Sequence, residues 1–183
     1  MMSRIDSLAL IEASVWQELL FAAQQADHEW RTMALGTVAG DEAQVRTVVL
    51  REVDSAAREL VFFTDARSPK VAQMRQRPNG TLLCWSSRLG WQLRLRVTLD
   101  VQTSGLQVSS RWARLKLTPA AQDYLSPLPP GSPVADRFEP ERASRSHFAV
   151  VSARVLSIDW LELHADGHRR ALFGPAGGQW LQP

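Results

Sequence analysis

Apolar side chains at Val15, Trp16, Leu19, Leu20 and Ala23 recur at helical spacing with polar residues between them. That pattern predicts a helix with one apolar face over residues 11–27. Thereafter the period changes to two. Residues 32–38 and 45–53 read as strands joined through Ala39-Gly40-Asp41-Glu42, a hairpin spacing, and residues 60–64 as a third strand. Residues 68–77 read as a helix stopped by Pro78-Asn79-Gly80, with a strand at 81–85. The longest alternation follows, Trp91, Leu93, Leu95 and Val97 facing one way and Gln92, Arg94 and Arg96 the other. Residues 109–117 form a helix, Thr118-Pro119 open a short one, and a proline-rich loop covers about 126–135. Further β segments are expected at 147–158, 160–164 and 169–173. The whole predicts a mainly β fold with flanking helices: a closed or nearly closed antiparallel barrel.

A chain of 183 residues with 45% hydrophobic residues fits one globular domain, residues 1–183. No stretch approaches the roughly 18 apolar residues of a membrane span. The opening Met1-Met2-Ser3-Arg4-Ile5-Asp6 lacks a secretory pattern, so a cytoplasmic protein without a membrane partner is expected. Lys and Arg number 21 against 19 Asp and Glu, and they are scattered, which argues against a nucleic-acid partner. Any anion site must be local. Cys84 is the single cysteine and sits among apolar residues, as a buried thiol would. Seven tryptophans beside one tyrosine offer aromatic area for a core, a subunit interface or a planar ligand.

Two segments combine strands with anion-binding groups. In Arg46-Thr47-Val48-Val49-Leu50-Arg51, period two sets Arg46 on the face opposite Thr47, Val49 and Arg51; Phe62-Phe63-Thr64-Asp65-Ala66-Arg67-Ser68-Pro69-Lys70 runs from a strand end into a helix start. A helix start presents unpaired N–H groups, Thr64 and Ser68 carry hydroxyls, and Arg46, Arg67 and Lys70 carry charge, a chemistry that suits a phosphate. Each feature also has a plainer reading. Ser68 alone is an ordinary N-cap, Asp65 a turn residue and Arg51 a solvated strand end.

Together with the Pro78 turn before Leu82-Leu83-Cys84-Trp85, and with Trp91-Gln92-Leu93-Arg94, these segments resemble the pyridoxamine 5'-phosphate oxidase family, in particular its Alr4036-type flavin-binding branch. The resemblance implies a Greek-key antiparallel split β-barrel, a homodimer with FMN at its interface, and flavin-dependent oxidoreductase chemistry on a small molecule. It implies that Arg46 contacts the FMN phosphate with Thr47 beside it, and that Val49 and Leu50 line the ring site. Phe63 and Thr64 would form the flavin wall, Arg67, Ser68 and Lys70 the phosphate cradle, and Gln92 would reach the ring edge from the same or the partner subunit. Arg51 stands where the oxidases commonly carry a lysine near flavin and substrate.

The chain departs from that family at Pro69, where an arginine is common, and after Leu106, where Ser109, Ser110, Arg111 and Arg114 match loosely. His164, His168, Arg169 and Arg170 weakly resemble the residues that hold the vitamin substrate. Catalytic residues are not identified, and pyridoxamine-phosphate turnover is doubtful on these departures. The alternatives are a non-catalytic flavin-binding or flavin-storage protein and a basic barrel binding nucleic acid. No histidine pair has metal-ligand spacing, so no metal is expected.

Overall fold

The computed structural model describes residues 4–134 and 147–183. Helix α1 (Leu8–Gln24) buries Ile11, Val15, Trp16, Leu19 and Ala22 against the barrel. It starts three residues before the predicted helix, and at its far end Arg31 Nη1 donates to the carbonyls of Ala22 (3.2 Å) and Ala23 (2.6 Å). Strands β1 (Thr32–Ala39) and β2 (Glu42–Asp54) pair up to Ala39 opposite Glu42, leaving Gly40-Asp41 as the turn. Gly40 takes φ +61°, the left-handed conformation such tight hairpins demand.

Next come β3 (Glu59–Asp65), α2 (Pro69–Gln76), β4 (Asn79–Ser86) and β5 (Trp91–Gln102). Helix α3 (Leu106–Leu115) and a 3₁₀ turn (Pro119–Tyr124) precede β6 (Phe148–Glu162), β7 (Arg169–Gly174) and β8 (Gly177–Leu181). All pairings are antiparallel, in the order β3-β2-β1-β4-β5-β6-β7-β8, and β3 also pairs with β6. That last ladder closes a ring of six strands. The run β4-β1-β2-β3 is a Greek key, because the strand after α2 returns to lie beside β1.

Inside the ring pack Met33, Leu35, Val48, Leu50, Leu60, Phe62, Leu82, Leu93, Leu95 and Val97, with Val71 and Met74 of α2. Outside it, α3 and the 3₁₀ turn cover Val61, Phe63, Phe148 and Val150 with Val108, Leu115 and Tyr124. Both faces of β3 are therefore dry, which explains its nearly continuous apolar run. Trp30, Trp91, Trp160 and Trp180 follow one another at ring separations of 6.5, 5.4 and 6.4 Å. Most of the tryptophans thus serve the core, while Trp85 and Trp180 are exposed. Cys84 is buried and burial pushes its thiol pKa up, as an inert core thiol requires.

Three expectations need correction. Residues 147–164 do not form two strands. Their one strand, β6, carries a bulge where Arg96 pairs with Ser157 and Val97 with Val155, so the buried positions switch from Val151, Ala153 and Val155 to Ile158 and Trp160. Asn79-Gly80 is not a turn but the start of β4; a Cβ on Gly80 would lie 2.8 Å from Leu99 Cδ1 and 3.1 Å from the Gly36 carbonyl oxygen. The tail forms a strand, β8, on β7. The proline-rich loop has no helix or strand over 126–134, and position 135 lies outside the described residues. No described helix is long and apolar enough to cross a membrane.

Candidate cofactor-phosphate and substrate site

One end of the barrel is polar. On β2 the inward row Leu50, Val48 ends in Arg46, and on β1 the row Met33, Leu35 ends in Thr37. Helix α2 lies across this end, burying Val71 and Met74 and bringing Lys70 and Gln73 toward the two strands. Arg46 Nη1 donates to the carbonyls of Leu35 (3.3 Å) and Gln44 (3.1 Å) and to the Thr37 hydroxyl, while Nη2 donates to Gln73 Oε1 (2.8 Å). Burial pushes the Lys70 ammonium below its ordinary value of 10.5, the Arg46 charge pushes the same way, and Asp65 pulls back weakly. Burial also lowers the Arg46 pKa. Two cations from separate elements therefore face one partly buried end of the barrel.

Ser68 occupies the N-cap position of α2 without a side-chain cap bond; its Oγ instead accepts from Lys70 Nζ at 2.8 Å. Pro69 at the first helical position carries no N–H. The expected cap is thus absent, and the hydroxyl is grouped with the cations. Thr64 is buried at the same barrel end, its strand position paired with Ala149.

Arg67 goes elsewhere. Its Nε and Nη2 hold Asp65 at 3.1 and 2.7 Å, and its guanidinium also donates to the carbonyls of Ser126, Pro127 and Leu128 at 2.8, 3.0 and 3.3 Å. It ties the proline-rich loop to the turn before α2 and neutralises Asp65.

Thr47, Val49 and Arg51 face outward on β2, as period two predicted, whereas Leu50 turns into the core and offers a ligand only its backbone. At Arg51 the ladder slips: Leu50 pairs with Phe62 and Glu52 with Val61, leaving Arg51 as the extra residue of a bulge. The bulge reverses the alternation, so neighbours Arg51 and Glu52 line one cavity of about 260 Å³ with Phe63, Arg111, Arg114, Leu115 and Thr118. The Arg51 guanidinium lies 6.0 Å from the Phe63 ring centre, and Arg111 grips Glu52 with Nε and Nη2 at 3.0 and 2.6 Å. Three arginines against one glutamate leave this cavity cationic. Burial raises the Tyr124 hydroxyl against the pull of Arg51. Arg111 and Arg114, which match the family only loosely in sequence, line this cavity, and Thr118, expected only to open a short helix, lies beside them.

Gln92 is not part of this cluster within one subunit. The register runs Arg46–Leu35–Leu82–Leu95, which puts β5 three strands away, roughly 14 Å across the sheet. The weakly matching C-terminal residues are engaged structurally: Arg169 with Glu162 and Asp6, Arg170 with Asp159, and His164 and His168 in the β6–β7 turn. Among the described residues, no group of three or more His, Cys, Asp or Glu is arranged to hold a metal ion.

Residues 13–103 match the family described as pyridoxamine 5'-phosphate oxidase, FMN-binding domain. Among solved structures, a pyridoxamine 5'-phosphate oxidase-related, FMN-binding protein from Nostoc punctiforme shares the fold with TM-score 0.73 at 21% identity, covering 93% of this chain and 96% of that one. PhzG from Burkholderia lata, in complex with tetrahydrophenazine-1-carboxylic acid, gives TM-score 0.73 at 16% identity over 96% and 92%. General Stress Protein 26 from Bacillus anthracis gives 0.54 at 14% identity over 80% and 92%. A search of curated proteins finds no match.

Proposed function

We propose that this chain is a member of the pyridoxamine 5'-phosphate oxidase-like family of FMN-binding split barrels, whose FMN-binding domain residues 13–103 match, and that it is a cytoplasmic, homodimeric FMN-dependent oxidoreductase of the Alr4036-type branch whose substrate is a small cyclic anion. The observation that carries the cofactor reading is the meeting of α2 with the ends of β1 and β2: Gln73 accepts from Arg46 and Thr37, and Lys70, three residues earlier on the helix, faces the same barrel end. Two like charges in a half-buried site repel, and a dianionic ester placed between them converts that repulsion into charge-assisted hydrogen bonds. Ser68, relieved of capping, adds a hydroxyl on the same side. The residues present fit a phosphate.

Bound FMN supplies hydride and electron chemistry at its ring, which no side chain can supply. The protein's part is placement. Arg46, Ser68 and Lys70 would hold the phosphate, and Arg51 lies five residues along β2, roughly 16 Å away, which leaves room between them for the sugar chain and ring. The cavity of Arg51, Arg111, Arg114 and Phe63 then receives the substrate: arginines bind an anionic group and Phe63 supplies an apolar wall. A cyclic carboxylate suits it, and the structural relative PhzG is in complex with tetrahydrophenazine-1-carboxylic acid.

The dimer reading rests on an apolar outward face. Val45, Leu83 and Trp85 are 69, 38 and 44% exposed and lie around Ala34 and Gly36, which pair with both neighbouring strands. Burying such a face against its copy removes apolar area from water. Gln92 pairs with Trp85 at the border of this face, so docking would carry it to the partner's site.

Visible absorption of the purified protein, followed by anaerobic mixing with reduced nicotinamide, pyridoxamine phosphate and partly reduced (dihydro or tetrahydro) cyclic carboxylates, tests the proposal. A flavin band bleached by a partly reduced cyclic carboxylate, which gives up a hydride and a proton as its ring is oxidised, supports it. A protein that neither carries nor takes up FMN contradicts it.

A further inference from the structure

The phosphate reading leaves open why one arginine, rather than any surface cation, should recognise an ester. An arginine side chain is long and loses rotamer freedom when ordered, so its fork is useful only if other groups fix its plane. Arg46 has such groups. Its four acceptors fall on Nη1 and Nη2, and two of them are side chains that also bind each other: the Thr37 hydroxyl accepts from Arg46 Nη1 and donates to Gln73 Oε1 at 2.7 Å. Gln73 Oε1 therefore receives two donors, which fixes the amide with its oxygen toward the arginine. Among the described residues, Nε–H and one Nη2–H of Arg46 have no protein acceptor.

We infer that Thr37 and Gln73 are positioning residues for cofactor selection: they lock the Arg46 guanidinium at its Nη end and leave the Nε–H, Nη2–H pair free to take two oxygens of the FMN phosphate. The inference rests on the phosphate reading and deepens it. Neither residue belongs to the anion-binding segments visible in the sequence, since Thr37 ends the β1 inward row and Gln73 lies one turn into α2. The triangle spans three elements, so the strand pair and the helix together set the angle of the fork. Without it the guanidinium keeps its charge and loses its plane, which penalises a bidentate ester more than it penalises an uncharged ring.

Fluorescence titration of the full-length protein with FMN and with riboflavin tests this. Thr37→Val preserves shape and removes the hydroxyl; Gln73→Leu removes the acceptor from a half-exposed helix position; Thr37→Ser restores the hydroxyl. The expected result is a fall of about tenfold in the FMN-to-riboflavin affinity ratio for Thr37→Val and for Gln73→Leu, the loss of one charge-assisted bond. Riboflavin affinity should stay within about twofold in both, and Thr37→Ser should retain the wild-type ratio. Should Thr37→Val fail to melt cooperatively, Gln73→Leu decides alone. A wild-type preference for FMN that persists undiminished in the folded variants overturns this inference and leaves the phosphate site standing. A wild-type protein with no preference for FMN overturns the phosphate reading and this inference with it.

Discussion

Arg67 grips both carboxylate oxygens of Asp65, at 3.1 and 2.7 Å, three and five residues before Lys70. The pair is a charge filter: Asp65 is buried beside the cationic cluster, and without Arg67 its carboxylate would claim Lys70. Arg67→Ala should therefore weaken FMN binding by about 1–3 kcal/mol, and adding Asp65→Asn should restore most of it. Calorimetric titration of the two variants checks this. If Arg67 instead touched the phosphate itself, the double variant would bind as poorly as the single one.

Lys70 gives the site a pH dependence with a definite sign. The protonated lysine binds the phosphate, so preference for FMN over riboflavin should be full below the lowered Lys70 value and decline as pH rises through it toward 10.5. Stability of the free protein runs the other way. A lysine whose folded value is depressed penalises folding at neutral pH, and the penalty fades across the same window. Lys70→Met should therefore raise the Tm of the ligand-free protein at pH 7 while reducing its FMN affinity, as calorimetry and titration of one sample would show.

Glu162 should control acid stability. Burial raises its pKa, but Arg169, Arg4 and Trp91 Nε1 outweigh that and hold it at about 2, below the ordinary 4.5. The stabilisation is present above pH 4.5 and is lost as pH falls from there to about 2. Glu162→Gln should cost on the order of 1–3 kcal/mol at neutral pH and flatten the acid limb of a Tm-against-pH curve.

The outward face of β2, β1 and β4 predicts an assembly phenotype. Leu83→Glu, at a position 38% exposed in the single chain, should leave the fold intact and turn a dimer into a monomer by light scattering. An unchanged dimer would place the interface elsewhere.

Much of this was legible in the sequence because alternation reports which face a strand buries. Arg46 opposite Thr47, Val49 and Arg51 is a consequence of period two, and so is the Trp91 to Val97 inner row. What escaped was what breaks the period. Bulges at Arg51 and near Leu156 reverse the alternation, which put Glu52 in the Arg51 cavity and made β6 look like two strands. Gly80 reads as a turn because a glycine's need for space beside Leu99 looks the same in sequence as a need for positive φ. Sequence shows the charge of Arg67 and not its partner, Asp65, which holds the guanidinium in this structure. Thr37 and Gln73 were hidden for the opposite reason: neutral side chains announce no chemistry until the fold sets them against Arg46.

If Arg46 and Lys70 share one phosphate, titration of the wild-type protein, Arg46→Ala and Lys70→Ala with FMN and riboflavin should show each substitution weakening FMN strongly and riboflavin little, so that the preference for the ester collapses in both. Equal weakening of the two flavins, or an FMN preference that survives both substitutions, would mean that the two cations do not share it.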